Sequence, residues 1–191
     1  MKQILLFFFI GGMLVAKAQV ATKNSARIFQ NFHSFNTIQV LNGNTTTSLA
    51  VTTVNGFQFN RLFAGAGVGF DYYFHTTVPV FLEARFDLVK DKGKLQLFAN
   101  GGLNFAFSAQ NDRFEHRFGD YKTGSMYGAG LDYLAPVGKD AFIIGVAFNN
   151  KRVIHFSDNN IWNPVLNRVE NVPLKEEYSF NRIAIRIGWM F

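Results

Sequence analysis

No cysteine occurs among the 191 residues, so no disulfide can staple the fold. After the first twenty positions no run of 18 apolar residues appears, which removes membrane-spanning helices from consideration. Lys and Arg outnumber Asp and Glu, 19 to 13, but they form no basic tract of the kind that binds nucleic acid. There is no segment of period 3.6 long enough for a buried helix, no repeat at solenoid periods and no sign of a second domain. No second histidine stands at ligand spacing from His116, so Glu115, His116 and Asp120 make a poor metal site. Neither metal nor cofactor is expected.

What is present begins with "MKQILLFFFIGGMLVAKAQ". Lys2 supplies a positive start, Ile4 to Val15 an apolar stretch, and Ala16-Lys17-Ala18 a small-x-small cleavage site. The apolar stretch is too short to cross a bilayer as a helix, which needs roughly 20 residues. The expectation is a cleaved signal peptide over 1–18 and one domain over 19–191. No cysteine flanks the site for a lipid anchor, and loss of Lys2 and Lys17 removes two of the six net positive charges.

The rest of the chain alternates with period two. In "VPVFLEARFDLVK", Val78, Val80, Leu82, Ala84, Phe86 and Leu88 share one face, and Phe81, Glu83, Arg85 and Asp87 the other. Three successive charges on one face do not suit the core of a soluble sandwich. In "KLQLFANGGLNFAF", Leu95, Leu97, Leu103 and Phe105 oppose Gln96, Asn100 and Asn104. "RLFAGAGVGFDYYF", "SMYGAGLDYL", "AFIIGVAFN" and the closing "NRIAIRIGWMF" set large apolar residues against Gly, Asp, Asn and Arg. Segments of about ten residues, apolar outward and polar or small inward, describe a transmembrane β-barrel. A closed sheet is the strand structure that leaves no backbone edge in lipid. With weaker strands near 32–42 and 46–59 the count is eight, an all-β, antiparallel, up-and-down meander. A lipocalin-like soluble barrel would need the opposite patterning.

Connections alternate in length. Short turns at 60–61, 91–94 and 137–140 are expected on the periplasmic side; 42–45, 75–78 and two long loops near 108–122 and 151–178 are expected outside.

The stretch "TVNGFQFNRLFAGAGVGFDYYF…VPVFLEARFDL" and the ending "NRIAIRIGWMF" resemble the small eight-stranded outer-membrane β-barrels of the OmpA/OmpX type of Gram-negative bacteria. The resemblance implies an outer-membrane location. It also implies that the terminal aromatic strand, with Trp189 and Phe191, is the signal read by the barrel-assembly machinery. Outer-membrane lipid and lipopolysaccharide would surround such a barrel, which is expected to be a monomer.

Eight strands enclose an interior that side chains can fill. Inward parity gives four acids, Asp71, Glu83, Asp87 and Asp132, against three bases, Arg85, Arg182 and Arg186. Buried charges must pair, so a salt-bridged core is expected rather than a wide pore. Function then belongs to the loops. "SAQNDRFEHRFGDYKTG" mixes charge with Phe114, Phe118 and Tyr121, which suits a surface partner of unknown identity. "RVIHFSDNNIWNPVLNRVE" contains His155-x-Ser157, with Glu170 downstream, and is similar to the His-x-Ser-Asn motif of PagL-like lipid A deacylases. That resemblance implies Ser157 as nucleophile, His155 as base and Glu170 as its orienting acid. Asp158 stands where the motif has Asn, and strand parity turns His155 and Ser157 inward unless a bulge near 149–152 reverses it. Two readings are carried forward: a structural or surface-interaction barrel, and a lipid A acyl-ester hydrolase.

Overall fold

The structure, a computed structural model, describes residues 31–44, 46–89, 93–106, 120–163 and 167–191, with backbone only at 120–121, 157–163 and 168–173. The expected signal sequence over 1–18 lies outside them, as does most of the segment 108–122. The barrel, His33–Phe191, is one compact unit; the other, Met1–Phe32, falls almost wholly outside the described residues.

Among the described residues nine strands are formed: β1 (Phe32–Gly43), β2 (Thr47–Phe59), β3 (Leu62–Asp71), β4 (Thr77–Val89), β5 (Lys94–Ala106), β6 (Asp120–Lys122), β7 (Gly124–Val137), β8 (Asp140–Asn163) and β9 (Arg168–Met190). The three-residue β6 lies against β8 as the upward continuation of β7, separated from it only by Thr123. The barrel therefore has eight walls. Each pairs antiparallel with its neighbour in sequence, and β9 pairs with β1 from Phe35↔Met190 to Gly43↔Arg182, closing the sheet.

Alternation explains why these segments are strands. Val, Ile, Thr and aromatic side chains suit the pleat, and period two sends each set to one side. The outer set is mostly apolar and exposed: Leu82 is 71% and Ile183 66% accessible. The inner set is buried, charged residues included. Turns at the lower end are tight. Asn60, at φ 55°, and Arg61 join Phe59↔Leu62, and Gly138, at φ 65°, with Lys139 joins Val137↔Asp140. Gly tolerates that left-handed backbone without penalty, and Asn more readily than most residues.

Beside the lower charges of the interior, Phe35, Val54, Phe63, Phe81, Leu134, Ile143 and Met190 pack into an apolar stopper. Phe35 and Phe63 meet edge-on at 4.9 Å between centroids. Phe191 completes the closure, exchanging backbone hydrogen bonds with Ser34 at 3.0 and 3.2 Å.

One expectation is corrected. The segment 151–178 is not a loop but a β-hairpin: β8 and β9 run for 24 and 23 residues, and their register is unbroken from Ala141↔Met190 to Asn163↔Arg168. The apolar outer wall stops near Phe148 and Ile183; above it Arg152, Ser179 and Glu177 face out. At about 3.3 Å per residue the hairpin extends on the order of 50 Å along its strands past that level. Backbone pairing needs no apolar face, so the strands outlast the wall.

Candidate functional site

The lumen holds two charge clusters. In the lower one Arg85 of β4 lies at the centre, 1% accessible. Its Nε donates to Glu83 Oε1 at 2.7 Å, and its NH1 donates to Asp132 Oδ2 on β7 at 2.9 Å. The guanidinium lies 3.8 Å above the Phe35 ring, a cation–π contact in a dry setting. Gln96 donates to Asp87 Oδ1 at 2.6 Å, and Asn100 to Glu83 Oε2 at 3.1 Å. Arg186 of β9 approaches Asp132 from the far side, NH2 to Oδ2 3.6 Å, with its guanidinium 3.9 Å over the Phe98 ring.

Glycine makes the space. A Cβ on Gly145 would collide with Asp132 Oδ1, and one on Gly128 with Asn149 Oδ1. These inward positions are empty so that charged side chains can lie across the barrel.

The upper cluster is built on Asp71 of β3. Arg182 NH1 donates to its Oδ2 at 2.6 Å, and Lys151 Nζ stands 3.3 Å from its Oδ1. Lys151 also donates to the carbonyl oxygens of Tyr73, at 2.9 Å, and His75, at 2.7 Å. The short β3–β4 connection is thereby drawn into the barrel mouth. Tyr73 is fully buried, and Phe74, at φ 62°, rests on Phe180 and Tyr178 with centroids 4.8 and 5.5 Å away. A left-handed phenylalanine is costly; the lysine grip on both sides and the aromatic bed hold it. Burial pushes the Lys151 amine down to about 8, with Arg182 pushing the same way and Asp71 pulling against both. A cavity of about 30 Å³ bordered by Asp71, Glu83, Asn100 and Arg182 lies between the clusters.

No family model, curated protein or solved structure matches this chain. The function must be read from the geometry.

All seven charged residues that parity assigned to the inner face, Asp71, Glu83, Arg85, Asp87, Asp132, Arg182 and Arg186, are buried there. Lys151 joins them although its segment reads as loop; its odd position on β8, in step with Asn149, is the signal that could have found it. Trp189 faces out beside Phe142, centroids 6.2 Å apart, and its Nε1 donates to Asp140 Oδ2 at 3.4 Å.

The His-x-Ser segment assembles differently from the motif it resembles. His155 is buried on the inner side, and its Nδ1 meets Glu176 Oε2 at 3.4 Å; Tyr178 donates to the same oxygen at 2.7 Å. Glu170 pairs with Ile161, four residues up the strand from Ser157, whose own partner is Leu174. That is about 13 Å along the hairpin. No bulge turns β8 over near 149–152. The one register slip on its other side, four residues from Lys122 to Met126 against three from Ile154 to Lys151, places the extra residue at 123–125. Among the described residues no group of three or more His, Asp or Glu side chains is placed to hold a metal ion.

Proposed function

We propose that this protein is an integral outer-membrane β-barrel of the OmpA/OmpX type, exported by a cleaved signal peptide, which acts through its projecting β8–β9 hairpin in surface interaction. The observation that carries the reading is the inversion of the barrel: exposed aliphatic and aromatic residues outside, paired charges inside. A wall of that kind is stable when lipid, not water, covers it. The charges serve the closed core, which leaves the hairpin to meet partners. It stands clear of the wall, and β1 accompanies β9 only as far as Gly43↔Arg182, so above that level β9 has a paired strand on one side only among the described residues. The inward turn of His155 supports this reading over lipid A hydrolysis, since an acyl ester lies outside the barrel wall.

The absence of native cysteine supplies the test. Ser179→Cys lies above the wall on β9, and Lys139→Cys in the turn at the opposite end. On intact cells a membrane-impermeant maleimide is expected to label the first, and to reach the second only after the outer membrane is opened. Equal labelling of both, or of neither, would remove the membrane orientation. In a planar bilayer the purified barrel is expected to pass no steady current, because the apolar stopper closes it; sustained openings would overturn the closed lumen.

A further inference from the structure

We infer that the outer face of the barrel, where β6, β8 and β9 rise above the apolar wall, carries a site for the phosphate of an outer-leaflet glycolipid. The inference rests on the membrane reading above and names a lipid class for it. A groove of about 590 Å³ opens on this face, with Phe105, Ile154 and Phe156 among its apolar surfaces and Lys122 and Lys175 among its borders. Lys122 Nζ lies 4.3 Å over the Phe156 ring. Lys175 is half exposed and holds Glu177 at 2.7 Å. The hydrogen bond from Lys175, and then its charge, keeps the Glu177 carboxyl below the usual range. Arg152 is exposed on the same outward side of the hairpin. Among the described side chains here, three cations face one carboxylate.

The register slip at 123–125 makes this arrangement. On β7 odd positions face out, as Tyr127 and Leu131 do. An even-numbered lysine three residues before Ser125 would, on an unbroken strand, point into the lumen opposite His155. The extra residue reverses the parity, so Lys122 lies opposite the outward Ile154 and on the same side as Phe156.

Level and chemistry agree. Phe105, 43% exposed, is among the last large apolar residues on the outer face of β5, and the lysines stand immediately above it. That height is where lipid headgroups replace acyl chains. Lysines there can rest their stems on aromatic surface while their ammonium groups meet phosphate. A phosphate would compete with Glu177 for Lys175, and an acyl chain would lie along Phe105 and Phe156.

The test uses the full barrel refolded in detergent, with bound lipid counted by native mass spectrometry. Lipid A is expected to bind the wild type, and the Lys122→Gln/Lys175→Gln pair is expected to bind about tenfold more weakly, roughly one decade of Kd. Lys139→Gln, at the other end, is expected to bind as the wild type does. Lipid A stripped of phosphate is expected to bind as weakly to the wild type as intact lipid binds to the double variant, a comparison that holds even if the variant fails to fold. Equal binding of the two lipids, or of double variant and wild type, would overturn the site. Displacement of the lipid by millimolar inorganic phosphate would show a free-anion site and overturn the lipid assignment. Since binding is read in detergent, its failure beside correct cell-surface labelling removes this inference and leaves the membrane orientation standing.

Discussion

Replacing Arg85 by methionine is expected to lower the unfolding free energy of the refolded barrel by about 3–5 kcal/mol, the range found when one partner of a buried ion pair is removed. Methionine keeps an unbranched apolar stem between Phe35 and Phe98 but no charge. Glu83 is left with the Asn100 amide, and Asp132 with Arg186 at 3.6 Å. Both carboxylates are inaccessible to water, so neither can recover its hydration. A second variant separates charge from packing. Arg85→Met with Glu83→Gln removes one charge of each sign and keeps Asp132 opposite Arg186. It is expected to regain more than half of the loss. Urea titration in micelles, read by heat-modifiable gel migration, checks both. Unchanged stability of the single variant would show that Arg85 holds nothing together. A double variant as weak as the single one would assign the loss to packing on the rings.

The barrel was legible because its wall never breaks step. From Val78 to Leu88 every outward residue of β4 is apolar while Glu83, Arg85 and Asp87 face in. Two environments of opposite polarity imprint period two more strongly than a soluble sheet does. The hairpin was not legible for the same reason in reverse. Above Phe148 and Ile183 both faces carry polar groups: Lys151 and Glu176 on the inner side, Arg152 and Glu177 on the outer. The alternation of polarity fades while backbone pairing continues. Parity also assigns a face but not a partner. That Arg85 reaches Asp132 depends on how β4, β5 and β7 are staggered, with Arg85↔Phe98 and Gln96↔Asp132 setting the distance. The acid that meets His155 is decided by hairpin register, which brings Glu176 opposite it and leaves Glu170 at Ile161. The slip at 123–125 is marked in the sequence only by Gly124, and it decides which way Lys122 points.

The barrel is also expected to gain stability as pH rises through the alkaline range, and Lys151 is the reason. Its amine is held at the barrel mouth by the carbonyl oxygens of Tyr73 and His75 in the β3–β4 connection, and burial has lowered it from the ordinary 10.5 to about 8. Below pH 8 the lysine is charged in both folded and unfolded chains, and the cost of burying that charge is borne in full. Between pH 8 and 10.5 the unfolded chain holds the proton more tightly than the folded one, so stability climbs with pH. Above 10.5 both are neutral and the gain is complete. At 1.36 kcal/mol per pH unit the difference is worth about 3 kcal/mol over that window. The contribution of this one amine is isolated by comparison with Lys151→Met. The variant is expected to lack this part of the climb and to gain less than the wild type between pH 8 and 10.5. It also loses the two hydrogen bonds to the carbonyls of Tyr73 and His75, which releases the Phe74 turn from the mouth. Amide exchange at residues 73–76 is therefore expected to quicken in the variant at neutral pH. In the wild type it is expected to quicken only as pH passes 8 and the neutral amine loosens its grip, beyond the ordinary base-catalysed increase. Parallel pH profiles for the two proteins would show that the buried amine is not the titrating group. An unchanged exchange rate at 73–76 would show that the aromatic bed of Tyr178 and Phe180 holds the turn without it.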